Sequence, residues 1–304
     1  MTLSLDALQV IDAIDRNGSF AAAAAELHRV PSALTYTVRR LEEGLGVALF
    51  DRGGNRATLT EAGRAVLAQG RPILRAAAEL EATVQRVATG WETELRVAVD
   101  GLVPVTWLYP LVARFSEAQP QVRLRLREEC LAGVWEALVD GRADLVIGAT
   151  GEAPAGGGYA LRPMGEARFD FATAPDHPLA ALERPLAAED IRPYRAVAVA
   201  DTARNRPVRT HGLQEGQPVL TVPDLDAKLA AQAAGLGVGY LPRHAANPWY
   251  RAGDLRPLPL ADPPAAEPLY MAWRTPVRGR ALAWFLEALD PPDELAAALA
   301  AGPL

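Results

Sequence analysis

Cysteine and lysine each occur once in this 304-residue chain. Cys130 on its own admits no internal disulfide and no cysteine-ligated zinc cluster. Lys228 leaves arginine to supply 30 of the 31 basic residues. GC-rich coding is the plainer account of that, and a need for bidentate hydrogen-bond donors is the functional one. The four histidines, His28, His177, His211 and His244, are scattered, with no i, i+4 pair to hold a metal. Two of them sit in "DHP" and "PRH", which read as solvent-facing loops. No Gly-x-Ser-x-Gly elbow and no phosphate-binding loop occurs. "GEAPAGGGYA" is glycine-rich but lacks the lysine and the following helix, so it reads as a flexible connection between strands. No catalytic residue, metal ligand or cofactor is therefore expected. No apolar run is long enough to cross a bilayer, and "MTLSLDALQV" lacks a basic segment ahead of a long apolar core. A cytoplasmic chain without a membrane partner is the expectation. The net charge of −6 speaks against wholesale nucleic-acid binding, although it reports solubility better than it reports a local site.

What is present is a chain that is half hydrophobic and ordinarily charged, and too long for one typical core. "SLDALQVIDAIDRNGSF" carries Leu5, Leu8, Ile11, Ala13 and Ile14 at helical spacing, with Ser4 as N-cap and Gly18 as C-cap. Ser19 caps "FAAAAAEL", whose alanines let another helix approach closely or serve as filler. After the break "HRVP", Pro31 suits a first helical turn, where a missing N–H costs nothing. Leu34, Val38, Leu41 and Leu45 then form one apolar stripe, while Ser32, Thr35, Tyr36 and Arg39 share another face. Helix, tight turn and a second helix with exposed hydrogen-bonding groups is the geometry that reads a major groove; a plain amphipathic helix with a solvated face shares the pattern. The strand "VALF", the turn "RGGNR" and the strand "ATLT" then make a hairpin wing, its tip flanked by Arg52 and Arg56. Between Arg29 and Arg56 five arginines face only Glu42, Glu43 and Asp51. Positive charge is concentrated there.

The run "GSFAAAAAELHRVPSALTYTVRRLEEGLGVALFDRGGNRATLTEAG" resembles the winged helix-turn-helix of LysR-type transcriptional regulators. Val30 and Pro31 stand where that family most often has serine and glutamine, and Thr35 replaces its usual serine. The resemblance implies a sequence-specific regulator contacting double-stranded DNA at an interrupted palindrome. Pro31, Ser32, Thr35, Tyr36, Arg39, Arg52 and Arg56 are the DNA-binding candidates. A helix from Thr60 or Thr58 to about Ala88 repeats Val66, Ile73, Leu80 and Val87 every seven residues. Gly70, Ala77 and Val84 fill the seam between them. In the family this linker helix dimerises, so a homodimer or homotetramer is implied; Pro72 threatens a kink.

Beyond "TGWETE", short apolar strands alternate with helices, which implies a parallel sheet covered on both faces. The resemblance extends over this region as a two-lobed α/β effector domain of the type 2 periplasmic-binding-protein kind. The expected organisation is a winged helix-turn-helix at 1–59, a linker helix at 60–91 and an effector domain at 92–304. Its lobes are about 92–163 with 266–304, and about 164–265. Ligands of α/β sheets sit beyond the carboxyl ends of strands, which selects Asp100, Gly101, Glu129, Gly148, Thr150, Asp201, Thr202 and Pro223 as effector-binding candidates. Such residues also serve as mere turn formers. The family commonly has serine or threonine at the place of Asp100, where anionic effectors bind. A carboxylate there implies a cationic or neutral hydroxyl- or amine-bearing effector, unless Arg204 or Arg206 offsets it. Trp107, Trp135 and Tyr240 are pocket or core aromatics. Cys130 reads as a buried or semi-buried thiol. Two functions remain: a regulator set by a small-molecule effector between two lobes, or a solute-binding or weakly enzymatic α/β module that the N-terminal helices only dimerise. The basic wing favours the first.

Overall fold

The computed structural model describes residues 3–51, 57–205, 207, 209–277 and 279–290. It divides into two units, Met1–Ala88 and Thr89–Leu304.

In the first unit, α1 (Leu5–Asn17) begins where the Ser4 hydroxyl accepts the Ala7 N–H at 3.1 Å and ends at Gly18, whose φ of 65° suits glycine. Ser19 caps α2 (Phe20–Glu26) in the same way. After the turn, Pro31 opens α3 (Pro31–Leu45). Ala7, Val10, Ile11 and Ile14 of α1, Ala23 and Ala24 of α2, and Leu34, Val38 and Leu41 of α3 form one core. Only two of the five alanines are buried, and they form the seam between helices. Two stripe residues depart from expectation. Leu5 and Leu45 are exposed, because each lies one turn beyond the point where its helix leaves the core.

Strands β1 (Phe50–Asp51) and β2 (Thr58–Leu59) pair antiparallel, shorter than the predicted wing strands. Helix α4 (Glu61–Thr89) then runs for 29 residues with Pro72 inside it, and Thr60 accepts the Gly63 N–H. Its first turns pack on the unit's own core rather than waiting for a second chain. Leu67 is buried there, and a Cβ at Gly70 would come within 2.6 Å of Leu8. Gly70, expected in a pairing seam, thus makes room for α1. Arg71 fastens the two helices by reaching Asp12 and Asp15, each at 2.7 Å.

The second unit begins with β3 (Glu94–Asp100), α5 (Tyr109–Ala118), β4 (Arg123–Glu129), α6 (Ala132–Val139), β5 (Leu145–Thr150) and β6 (Tyr159–Ala167). The chain then passes to β7 (Phe169–Thr173), α7 (Ala188–Ile191), β8 (Ala196–Val199), β9 (Val219–Val222), α8 (Leu225–Ala233), β10 (Gly239–Pro242), α9 (Arg243–Ala252) and β11 (Arg256–Leu258). It returns through β12 (Glu267–Arg274) and α10 (Arg280–Ala288). The larger sheet has the order β4-β3-β5-β12-β6. Its first three strands are parallel, but β12 runs antiparallel to β5 and to β6, so the expected all-parallel sheet is mixed. Every residue of β5 is buried, as a strand covered on both faces requires. Phe115 of α5 and Phe285 of α10 meet in this core, 5.0 Å between ring centres. Burying each contributes about 1.5–3 kcal/mol.

The other part is built on β10-β7-β11, which is antiparallel, and on the parallel pair β8-β9, joined to the first by a bridge between Ala196 and Val238. Four of these elements were not expected from sequence, the short α7 and β11 among them. Strand β6 follows the glycine stretch, and α9 holds "RHAANPWYRA" with Pro248 in its interior.

Candidate functional site

On α3 the apolar stripe faces inward, and Pro31, Ser32, Thr35, Tyr36 and Arg39 are all exposed, Tyr36 by 65%. The Thr35 hydroxyl donates to the Pro31 carbonyl at 3.0 Å. Arg39 Nε holds Glu43 at 2.9 Å in an exposed i, i+4 pair. Such a pair contributes only about 0.3–0.5 kcal/mol, too little to keep the guanidinium from a phosphate or a base edge. Glu42 is the exception on this helix. It is buried, and its Oε1 accepts the N–H groups of Leu49 at 2.7 Å and Phe50 at 3.3 Å. A carboxylate on α3 therefore holds β1, and with it the hairpin, in fixed relation to the outward face. Arg52 and Arg56 lie outside the described residues. Farther along, α4 leaves Ile73, Leu80, Val84 and Val87 exposed along one side, Val87 by 84%.

In the second unit a cavity of about 120 Å³ opens beyond the ends of β3 and β5. It approaches the ~150 Å³ in which a benzene-sized molecule fits. Its apolar wall includes Leu102, Leu131, Phe169, Val199, Leu225, Tyr240 and Pro242. Leu131, at φ 55°, holds a left-handed conformation rare for a branched side chain, and such strain concentrates at binding sites. Asp100 is buried in the wall, its Oδ1 accepting the Leu102 N–H at 2.9 Å. Burial pushes its carboxyl up to about 7; that hydrogen bond opposes the rise and Glu128 adds to it. Lys228 is buried too, and burial brings its amine down to about 8. It has no hydrogen bond or ion pair among the described residues. Arg209 reaches the Thr150 carbonyl at 3.4 Å and lies against Gly151, where a Cβ would come within 2.3 Å of the guanidinium. Glu267 accepts the Gly151 N–H. His211 packs between Phe169, tilted, and Tyr240, edge to face, and loss of water, then the Lys228 charge, hold its imidazole low.

The model of the LysR substrate-binding domain matches residues 88–291. That of the bacterial regulatory helix-turn-helix of the lysR family matches residues 5–64. The chain belongs to the LysR family of transcriptional regulators. Among curated relatives, the HTH-type transcriptional regulator YhaJ of Escherichia coli O157:H7 is 42% identical over 286 residues, covering 93% of this chain and 95% of that one. PunR of Escherichia coli K12, also an HTH-type transcriptional regulator, is 38% identical over 288 residues, covering 95% and 93%. Among solved structures, full-length CbnR complexed with its target DNA shares the fold, with a TM-score of 0.60 at 23% identity over 95% of this chain and all of that one.

Of the strand-end residues in this LysR-type regulator, Asp100, Gly101 and Thr150 line the cavity. Glu129, Gly148, Asp201, Thr202 and Pro223 do not, and each has a structural reason. Glu129 is buried between Arg142 at 2.5 Å and the Thr202 hydroxyl at 2.6 Å, which ties up both side chains. Gly148 packs under Val103. Asp201 accepts the N–H groups of Gly133, Ala203 and Arg209. Pro223 is exposed ahead of the Asp224 cap of α8. Arg204 is exposed and outside the cavity wall, while Arg206 lies outside the described residues. The cavity's cations are Arg209 and Lys228 instead. Of the aromatics, Tyr240 lines the cavity and Trp135 is core, its indole donating to the Thr150 carbonyl. His244, expected in a solvent-facing loop, is buried on α9 with Nε2 2.8 Å from the Leu102 carbonyl. Lys228 went unrecognised as a site residue, yet a signal was there. The sole lysine occupies the inward stripe of an amphipathic helix, between Leu225 and Leu229.

Proposed function

We propose that this regulator reads duplex DNA with the outward face of α3, through Pro31, Ser32, Thr35, Tyr36 and Arg39. Arg52 and Arg56 of the wing lie along the phosphates. Two chains pair through Ile73, Leu80, Val84 and Val87 of α4, so that two heads meet an interrupted palindrome as a homodimer or within a homotetramer. A small-molecule effector in the cavity of the second unit sets the activity, and the protein works in the cytoplasm. It senses and does not catalyse. In support, burial beside Asp100 and Glu128 raises the Cys130 thiol to about 12, which keeps the one cysteine of the cavity from acting as a nucleophile.

The observation that carries the reading is the division of α3 into a buried Leu34, Val38 and Leu41 edge and an exposed hydroxyl, phenol and guanidinium edge. The test is a gel shift of the protein's own promoter region across a salt series. Six to ten phosphate contacts imply a loss of roughly 10³–10⁵ in affinity between 50 and 200 mM salt. No shift, or a shift indifferent to salt, would leave the α/β unit as the working part and the helices as a dimerising arm.

A further inference from the structure

We infer that the cavity is built for a small carboxylate that also carries a hydroxyl or amino group, its anionic end docking on the Lys228 amine and its donor on Asp100. The inference rests on reading the cavity as the effector site.

Lys228 is only 7% exposed, lines the cavity, and has no partner among the described residues. An ammonium so placed is costly unless a counter-charge arrives. Its charged neighbours in the wall do not supply one. His211 and Arg209 carry the same sign when charged. The carboxylates of Asp100 and Glu267 line the same cavity, yet each is engaged with a backbone N–H, of Leu102 and Gly151, and neither forms an ion pair with Lys228. A buried acid and a buried amine thus share one cavity without meeting. Asp100 alone disfavours a simple carboxylate, and Lys228 alone disfavours a simple amine. Together they favour a molecule that brings both an acceptor charge and a donor. A residue with no role here would be better apolar, since Leu225 and Leu229 flank it on the same helix face. The lowered Lys228 amine is consistent with a site whose charge is completed by its ligand.

Because Lys228 is the only lysine, reductive methylation with formaldehyde and cyanoborohydride labels one side chain besides the α-amino group. The full chain is labelled alone and with glycolate, acetate or tetramethylammonium at equal ionic strength, and Lys228 methylation is read by peptide mass spectrometry. Glycolate is expected to slow it by about tenfold at roughly ten times its Kd. Acetate protects less, and tetramethylammonium not at all. In Asp100→Ala the advantage of glycolate over acetate disappears. Methylation unchanged by glycolate, or equal protection by tetramethylammonium, overturns the inference while leaving the cavity as an effector site. A Lys228 that is methylated in urea but inert in the folded chain overturns both, because the amine then does not open onto an accessible cavity. Lys228→Arg, which loses the label, confirms the assignment.

Discussion

Lys228→Met exchanges a buried ammonium for an apolar side chain of similar length, and the size of its effect follows from the amine's surroundings. Burial lowers that group from 10.5 to about 8. At about 1.36 kcal/mol per pH unit, the folded state gives up about 3 kcal/mol at neutral pH to hold the charge. The lowered pKa means that the folded chain releases this proton before the unfolded chain does. The penalty is complete below about 8, shrinks as pH rises from there towards 10.5, and is gone above it. Lys228→Met should therefore be more stable than the parent by about 3 kcal/mol at pH 8. For a unit of this size that is a rise in Tm of roughly 6–12 °C. Scanning calorimetry of both proteins from pH 8 to 10, above the range in which His211 titrates, measures it. The gain should narrow as pH rises beyond about 8. A variant no more stable than the parent at pH 8, or a gain independent of pH, would refute the reasoning, since the lysine would then be hydrated or paired in solution. A gain in stability with loss of effector response is the trade expected of a binding residue.

Asp100 behaves in the opposite sense. Its carboxyl, raised to about 7 from 3.8, stabilises the fold fully below about 4 and loses that contribution as pH climbs through 7. Asp100→Asn, which keeps an acceptor for Leu102, should gain on the parent in melting temperature between pH 4 and 8; an equal offset throughout contradicts this. Arg39→Ala should weaken operator binding by about 1–3 kcal/mol in a gel shift if it reads a base edge, and unchanged affinity and sequence preference remove it from the interface. Val84→Asp, in the exposed apolar side of α4, should shift the protein towards monomer in light scattering; an undiminished dimer places the pairing surface elsewhere. Glu42→Ala leaves the Leu49 and Phe50 N–H groups without their acceptor and should cost about 1.5–3 kcal/mol in urea denaturation. A smaller loss means the wing is held by other contacts.

The helix-turn-helix was legible because its signals are local: Ser4, Ser19, Thr60, Gly18 and Pro31 stop or start helices through their own backbone chemistry. Leu5 and Leu45 were misjudged for the complementary reason, since periodicity reports a face but not where the core ends. Gly70 shows the same limit, because the spacing did not say which neighbour needed the space. In the second unit the buried strands stood out as apolar runs, while the direction of β12 did not, being set by the chain's return from another sheet. Helix α9 escaped notice because Pro248 reads as a breaker, although the proline sits on an exposed side. Strand β6 was hidden behind the glycines before it. Part of the cavity was out of reach for a topological reason. The strand-end rule finds Asp100 and Thr150, and Tyr240 was open as a pocket or core aromatic, but Lys228 and Arg209 come from elements separated in sequence from those ends.

The segment after β8 is secured by acids that grip peptide N–H groups. Asp201 takes those of Ala203 and Arg209, and Glu136 of α6 takes those of Arg204 and Asn205. Clamps of this kind ignore side-chain identity, proline excepted. Mutational drift can therefore rewrite the chemistry displayed along this segment without unseating it. Among the clamped residues Arg209 lines the cavity, so the cation displayed there can be exchanged while the backbone that carries it stays as it was.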